Sequence, residues 1–594
     1  MALQSAIQIF IGAKPIMAYK HLKLQQNISA HHKLELVCRM DVLEKTDNEL
    51  ASDTKKFLGE TITLQISSLD DDIGYTDLEF KGVVTTVKNI KGFHQHQGDL
   101  ISIHAQSSSI ITDDGPHYTS YSDVSLSEIL ENTFRGYNRS TLATNINPQN
   151  QQNISYSVQH NESSFEYARR LAAQHSEWFY YDGRKLVFGQ PEEEETTELH
   201  YGFDLQEFSL QLHPIPNKFK YFTNDYLADD QHEVATAEIN SGINGYNGFT
   251  NNKSEEIYTK ETSIFLNSVI DTRLRQRLDT YVACQKKAVE IKQVKINGVS
   301  DNPGVHLGQI IKIKDEQKDH GSFRIISVSH SSTENGKYQN QFVGISKDLD
   351  VYPNTDMSAF PKSESQIAIV KDNADPEKMG RIRAQFFWQK ATGEMTPWIR
   401  IMTPHAGGDK GFHFIPEKEE EVIIGFEGGN AERPYVMGSL YTGNSKPEAS
   451  WETDKNDIKA IRTRGGHTLS FCDESGGESI SITDKNGNAI VLDTVKKTIS
   501  ISAPDSISIS SKDISISGSN SINISGSNIS ASGENVSVSG SSKTAITSDA
   551  QVIVDGKTSV NVNSNMEVAI NGMAKSTITS SGVTSVEGTI IKLN

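Results

Sequence analysis

Ser506-Ile-Ser-Ile-Ser510, Asp513-Ile-Ser-Ile-Ser-Gly518, Ser521-Ile-Asn-Ile-Ser-Gly526 and Asn535-Val-Ser-Val-Ser-Gly540 decide the fold of the C-terminal sixth of this 594-residue chain. Strict apolar–polar alternation is the period of a strand with one apolar and one polar face. The apolar pairs are Ile507/Ile509, Ile514/Ile516, Ile522/Ile524, Val536/Val538, Val552/Val554, Val560/Val562 and Val568/Ile570. Their spacing is close to eight residues, with some intervals nearer seven or a multiple. Gly518, Gly526, Gly533, Gly540, Gly556 and Gly572 close many of the units, where glycine permits a tight turn. A period this regular marks a repeat architecture.

One such chain alone is poorly stabilised. Two small aliphatics per unit bury too little surface to offset about 1–2 kcal/mol of backbone entropy per residue. Its strand edges would also be open templates for aggregation. Three copies wound about one axis remove both difficulties, because Ile and Val then fill a shared interior at about 1.5–3 kcal/mol each. Serine and asparagine face outward and keep the shaft slim. The repeat therefore predicts an intertwined triple-stranded β-helix in a homotrimer. A Ser/Gly-rich disordered segment would share the composition but has no reason to place Ile and Val at period two. A single-chain β-helix would need more bulk per coil.

Working back along the chain, Ala368 to Gln389 contains Asp375-Pro376-Glu-Lys-Met-Gly380-Arg381-Ile-Arg, a turn feeding an alternating strand. Trp398-Ile-Arg, Gly411-Phe-His-Phe-Ile-Pro416, Glu421-Val-Ile-Ile-Gly-Phe426 and Arg433-Pro434-Tyr-Val-Met-Gly438 follow. Short strands with Gly/Pro turns at this density predict a small closed barrel. This block resembles the OB-fold domain of VgrG proteins of type VI secretion systems and of contractile-phage spikes. Arg462-Thr-Arg-Gly-Gly-His467 and Asp484-Lys-Asn-Gly-Asn488 resemble the collar that follows it. Gln159 to Leu171, Tyr180-Tyr181, Pro303 to Ile311 and Val328-Ser-His330 resemble the family's hub more weakly. The family's usual glycine after Pro416 is replaced here by Glu417-Lys-Glu-Glu-Glu421.

The resemblance implies a mainly β, multidomain chain. Its parts are a hub β-barrel over 1–115, a helix-containing α+β hub segment over 116–200 and a second hub β-barrel over 201–360. An OB-fold domain over 361–446, a collar over 447–497 and a needle and tip over 498–594 complete it. Ser125, with Glu128 three residues on, caps one expected helix; Phe165–His175 and Ile270–Lys292 are two more. The resemblance further implies a homotrimeric spike that caps an Hcp-like tube hexamer at the hub base. It would contact baseplate proteins, carry effectors or adaptors, and bind a PAAR-type cap protein at Ile590, Ile591, Leu593 and Asn594. A phage or prophage tail spike of the same architecture and a trimeric surface adhesin are the other classes considered.

Chemistry is sparse in the sequence. No cofactor or metal site is expected. His94-Gln-His96 reads as a hairpin loop, and Glu192–Glu195 and Glu417–Glu421 as solvated turns. No nucleophile, P-loop or zinc-hydrolase motif occurs, so the chain is expected not to be an enzyme. The collar follows the OB block directly, leaving no room for an inserted enzyme. A net charge of −19 argues against nucleic acid as a partner, and Trp388 and Trp398 read as packing residues. Cys38, Cys284 and Cys472 are too scattered for a zinc site or a disulfide framework. The N-terminus lacks a basic, then apolar, leader, so assembly in the bacterial cytoplasm and ejection by the machine itself are expected.

Overall fold

The strand Asp319–Thr333 buries Val328, His330 and Ser332 on one side and holds the first half of the molecule together. The computed structural model describes residues 5–44, 53–69, 75–91, 99–192, 195–267 and 274–593, without the side chains of 274 and 275. His94, His96, Asn594 and part of the Glu192–Glu195 run lie outside the described residues. Two compact units divide the chain, Met1–Lys459 and Ala460–Asn594.

In the first unit, Asp319–Thr333 pairs antiparallel with Tyr338–Ser346 on one edge and with His21–Asn27 on the other. The second pairing joins residues about three hundred positions apart, as at Ser327 and Asn27. One sheet therefore runs Leu205–Leu212, Val294–Ser300, Tyr338–Ser346, Asp319–Thr333, His21–Asn27, Lys33–Arg39, Leu100–Ser107, Leu78–Ile90, Thr61–Ser68 and Ser5–Ile11. Strands of the 1–115 and 201–360 segments are thus hydrogen-bonded into a single sheet. Two cores form on it. One gathers Leu22, Leu24, Leu34, Leu36, Ile62 and Ile103. The other gathers Phe179, Phe188, Ile311, Ile325 and Phe342 with the helices.

The capped helices form as their sequences dictate. Ser125 Oγ accepts the Glu128 N–H at 3.2 Å and opens Leu126–Thr133. Ser163 and Glu166 close a reciprocal capping box at the start of Ser164–His175. The third expected helix is Leu274–Ile291. Gly245–Ile257 was not expected, because its polarity is inverted. Asn247, Thr250, Asn251 and Ser254 are buried while Tyr246, Phe249 and Ile257 are exposed.

The strands between Gln366 and Ser439 form a closed barrel. Arg383–Phe386, Gln366–Asp372, Glu421–Phe426 and Pro434–Ser439 make a four-stranded sheet. Ile399 bridges Ile382 and Ile401 bridges Val436, which joins the two edges of that sheet. Ala368, Val370, Ala384, Phe386, Val422, Ile424 and Val436 fill the interior. Arg383–Phe386 ends at Trp388, half-buried, whose ring stacks on Phe386 at 5.3 Å and whose N–H donates to Gln366 at 2.9 Å.

A five-stranded meander of Ile458–Arg462, Thr468–Cys472, Ser479–Thr483, Ala489–Asp493 and Thr498–Ser502 starts at the boundary and opens the second unit. It extends to Ser502, past position 497 where the sequence reading ends the collar. Beyond it, residues 503–593 form no strand ladder within the chain.

Candidate assembly surfaces

The meander is a single layer whose apolar residues share one face. Leu469 lies opposite Ile482, Phe471 opposite Ile480, Ile482 opposite Ile490, Ile480 opposite Leu492, and Leu492 opposite Ile499. In the single chain this face is uncovered: Ile480, Ile490 and Leu492 are about 40% exposed and Ile499 is 71% exposed. A sheet with one apolar face is stable only when that face is buried against another layer.

The repeat continues the pattern with great regularity. None of the residues expected in the needle core is buried within one chain. The first members of the pairs, Ile507, Ile514, Ile522, Val536, Val552, Val560 and Val568, are about half exposed. The second members, Ile509, Ile516, Ile524, Val538, Val554, Val562 and Ile570, are 70–78% exposed. The physical reason is that the repeat is one layer thick, with no second layer of its own chain for these side chains to pack on. Ile590, Ile591 and Leu593 are likewise exposed at the far end.

Two kinds of corner link the units. From residue 540 onward, turns fall every eighth residue at Gly540, Ser548, Gly556, Ser564, Gly572, Ser580 and Gly588, so glycine and serine alternate. At the serine corners the hydroxyl accepts backbone N–H groups. Ser548 takes those of Ala550 and Gln551 at 3.2 and 3.1 Å, Ser564 those of Met566 and Glu567 at 3.2 and 3.1 Å, and Ser580 that of Gly582 at 3.0 Å. The glycine corners are of two types. A Cβ on Gly518, Gly540, Gly556 or Gly572 would lie 2.4–2.7 Å from a backbone carbonyl three residues on. On Gly526, Gly533 or Gly588 it would meet a carbonyl two residues on at an ordinary 3.6 Å. Gly526 and Gly533 precede the seven-residue steps to Ile529 and Val536; the crowded type serves steps of eight. Counting glycines alone hides the serine corners.

In the OB barrel the motif residues have structural work. Asp375 accepts from the Glu377, Met379 and Arg381 backbone N–H groups and from Arg381 Nε and Nη2 at 3.0 and 2.8 Å. Both side chains of this pair are about 5% exposed or less. The Arg381 guanidinium, assisted by those N–H groups, holds the Asp375 carboxyl well below the usual carboxylate range. Gly380 sits at φ +71°, which the tight turn requires. Arg433 is buried against Glu427 at 2.9 Å, and Pro434 opens the strand that carries Gly438. The Pro416 carbonyl accepts from Asn373 at 3.0 Å, and Trp398 is half-buried. The turn after Pro416 takes its sharp bend without glycine: Glu419 adopts φ +68° and pairs with Lys371 at 2.9 Å.

One residue beside this motif escaped the sequence reading. Glu432, 6% exposed, docks the barrel on the helical segment by accepting from Val158 N at 3.1 Å and Arg170 Nη1 at 3.4 Å. Arg170 also forks onto Glu162 at 2.7 and 2.9 Å. Around this contact Tyr156, Val158 and Ala431 form a small apolar cluster.

Comparison with known families defines the class of protein. Residues 25–202 match the phage tail baseplate hub family, and residues 366–441 match the type VI secretion system/phage-baseplate injector OB domain. The chain therefore carries a segment similar to a baseplate hub and, after it, one similar to an injector OB domain. Its curated relatives are VgrG spike proteins. It is 28% identical over 114 residues to the type VI secretion system spike protein VgrG5 of Pseudomonas aeruginosa, 19% of this chain and 14% of that one. It is 27% identical over 123 residues to VgrG3 of Vibrio cholerae, 19% of this chain and 12% of that one. The alignments thus span less than a sixth of either relative. A chain of the half-lidded Francisella PdpA–VgrG complex shares the fold at a TM-score of 0.54 and 11% identity, over 84% of this chain and 88% of that one.

Proposed function

We propose that the chain is one subunit of a homotrimeric spike of a type VI secretion machine, in which residues 503–593 of three copies wind about one axis. The observation that carries this reading is the uncovered apolar face of the second unit. It runs through the meander, and the repeat after it presents equally exposed pairs with no strand partner within the chain. Three copies supply both the missing layer and the missing strand partners. A closed interchain β-structure has few places to open under load, which suits a body driven through a membrane. The hub sheet provides the base that seats on an Hcp-like tube hexamer among baseplate proteins, and Ile590, Ile591 and Leu593 provide an apolar platform for a PAAR-type cap. Effectors or adaptors travel with the spike, which is assembled in the cytoplasm and ejected by contraction. Its action is mechanical, with no catalysis assigned.

Cysteine pairing tests the arrangement. Ile524→Cys places a thiol in the shared interior and is expected to give interchain disulfides under mild oxidation. Ser525→Cys, one residue on, faces outward and is expected to give none. Equal cross-linking from both positions, or none from either, contradicts the proposal.

A further inference from the structure

Among the described strands, the hydrogen-bonded seam between Asp319–Thr333 and His21–Asn27 joins the two halves of the hub sheet. A continuous chain of buried side chains crosses it. Asn340 Nδ2 reaches Tyr338 OH at 3.3 Å, and Tyr338 OH lies 2.7 Å from His330 Nδ1. His330 Nε2 lies 3.1 Å from Gln26 Oε1, and Gln26 Nε2 lies 3.3 Å from His32 Nδ1. Asn340, His330, Gln26 and His32 are fully buried, and Tyr338 is 2% exposed.

Donor and acceptor chemistry fixes the direction of this chain. An amide nitrogen only donates and an amide oxygen only accepts. His32 therefore accepts at Nδ1 from Gln26, and His330 donates from Nε2 to Gln26. A neutral His330 then accepts at Nδ1, so Tyr338 is its donor and in turn accepts from Asn340. Every bond points from Asn340 toward His32, and both imidazoles are neutral with one defined tautomer each. We propose that this chain is a proton-sensitive clasp that loosens the hub seam under acid. A proton on His32 Nδ1 puts two donors face to face and demands that Gln26 turn over. A proton on His330 Nδ1 demands that the Tyr338 hydroxyl turn its own proton away and accept instead.

The surroundings offer a second charge little relief. His306 and His32 oppose a proton on His330, and His31 opposes one on His32; His31 itself faces Asp113, Arg169 and Lys33. Asp301 bears on Tyr338, and Asp204 lies further along, hydrogen-bonded to Asn302, whose carbonyl accepts from Asn340. Burial pushes both His32 and His330 down to about 3. The closed seam then binds fewer protons than the open one at any pH below about 6.5, the free imidazole value, so opening gains about tenfold per pH unit per histidine. Above that pH the clasp is at full strength.

Amide hydrogen exchange on the full chain tests the clasp. Corrected for the intrinsic rate, seam amides such as Gln26 and Val328 are expected to open about 60-fold more between pH 6 and pH 5. In His330→Gln, which keeps a donor to Gln26 but does not titrate, the same step is expected to be about eightfold. Amides in the Gln366–Asp372 and Glu421–Phe426 pair of the OB barrel serve as the internal reference. Seam amides that follow the reference, or a His330→Gln protein with the wild-type response, overturn the proposal. If His330→Gln does not fold, Tyr338→Phe decides. It is expected to loosen the seam already at pH 7 while keeping the acid response, and an unaltered seam at pH 7 refutes the clasp.

Discussion

Replacing Gly556 and Gly533 by alanine, one at a time, separates an architecture of crowded corners from a merely flexible tail. Both glycines close repeat units, and neither adopts a positive φ, so backbone strain does not distinguish them. Space does. A Cβ at Gly556 would stand 2.4 Å from the Ser559 carbonyl oxygen and 3.0 Å from a Val560 methyl. At Gly533 the nearest atom is the Asn535 carbonyl oxygen at 3.6 Å. Overpacking of the first kind costs about 1–3 kcal/mol per chain. Alanine at Gly533 meets only ordinary contact and lowers the entropy of the unfolded chain, which stabilises by about 0.4–1 kcal/mol. Three copies share each corner layer, so the gap between the two variants reaches roughly 4–12 kcal/mol per assembly. The assay is the temperature at which the purified assembly dissociates, followed by mass. Gly556→Ala is expected to dissociate well below wild type and Gly533→Ala at or slightly above it. Equal shifts in the two, or an unaffected Gly556→Ala, refute the corner geometry.

Three further outcomes are expected. Ser564→Ala removes the acceptor for two backbone N–H groups and costs about 0.5–1 kcal/mol per chain, whereas Ser564→Thr keeps the hydroxyl and most of the stability; the same dissociation assay reads both. Arg170→Met strands Glu162 and Glu432 together and costs about 3–5 kcal/mol, while Glu432→Gln leaves Arg170 forked on Glu162 and costs about 1–2 kcal/mol, an order that urea unfolding checks. Asp375→Asn leaves Arg381 buried without its anion and costs the OB barrel about 3–5 kcal/mol at neutral pH. Because the Asp375 carboxyl is held low, the wild-type pair contributes fully above the ordinary carboxylate pKa of about 3.9 and weakens only as pH falls below it. A pH series of barrel unfolding is expected to converge for wild type and Asp375→Asn only in strong acid.

The sequence was most legible where a local pattern and a tertiary need coincide. Ser125 with Glu128 is a capping signal that works within one turn of helix, and the helix starts there; the reciprocal box of Ser163 and Glu166 has the same local form but was not read from the sequence. The OB motifs were legible because each marks a turn or a strand of one small barrel. The union of the hub strands into one sheet was not, because the Val328–Gln26 pairing joins distant residues and leaves no local trace. The helix Gly245–Ile257 was missed for the opposite reason: it buries Asn and Ser, so the hydrophobic period that announces a helix points the wrong way. Glu432 could have been flagged only as a carboxylate beside Arg433, since its partner Arg170 lies 262 residues earlier. In the repeat the strand period was plain, but the alternating Gly and Ser corners emerge only once the hydroxyl-to-backbone bonds are seen.

Solution mass tests the central claim most directly. One chain has a mass of 65.6 kDa, and the account predicts a single species of three chains, about 197 kDa, persisting on dilution. A well-folded 65.6 kDa species whose residues 503–593 resist proteolysis would contradict it.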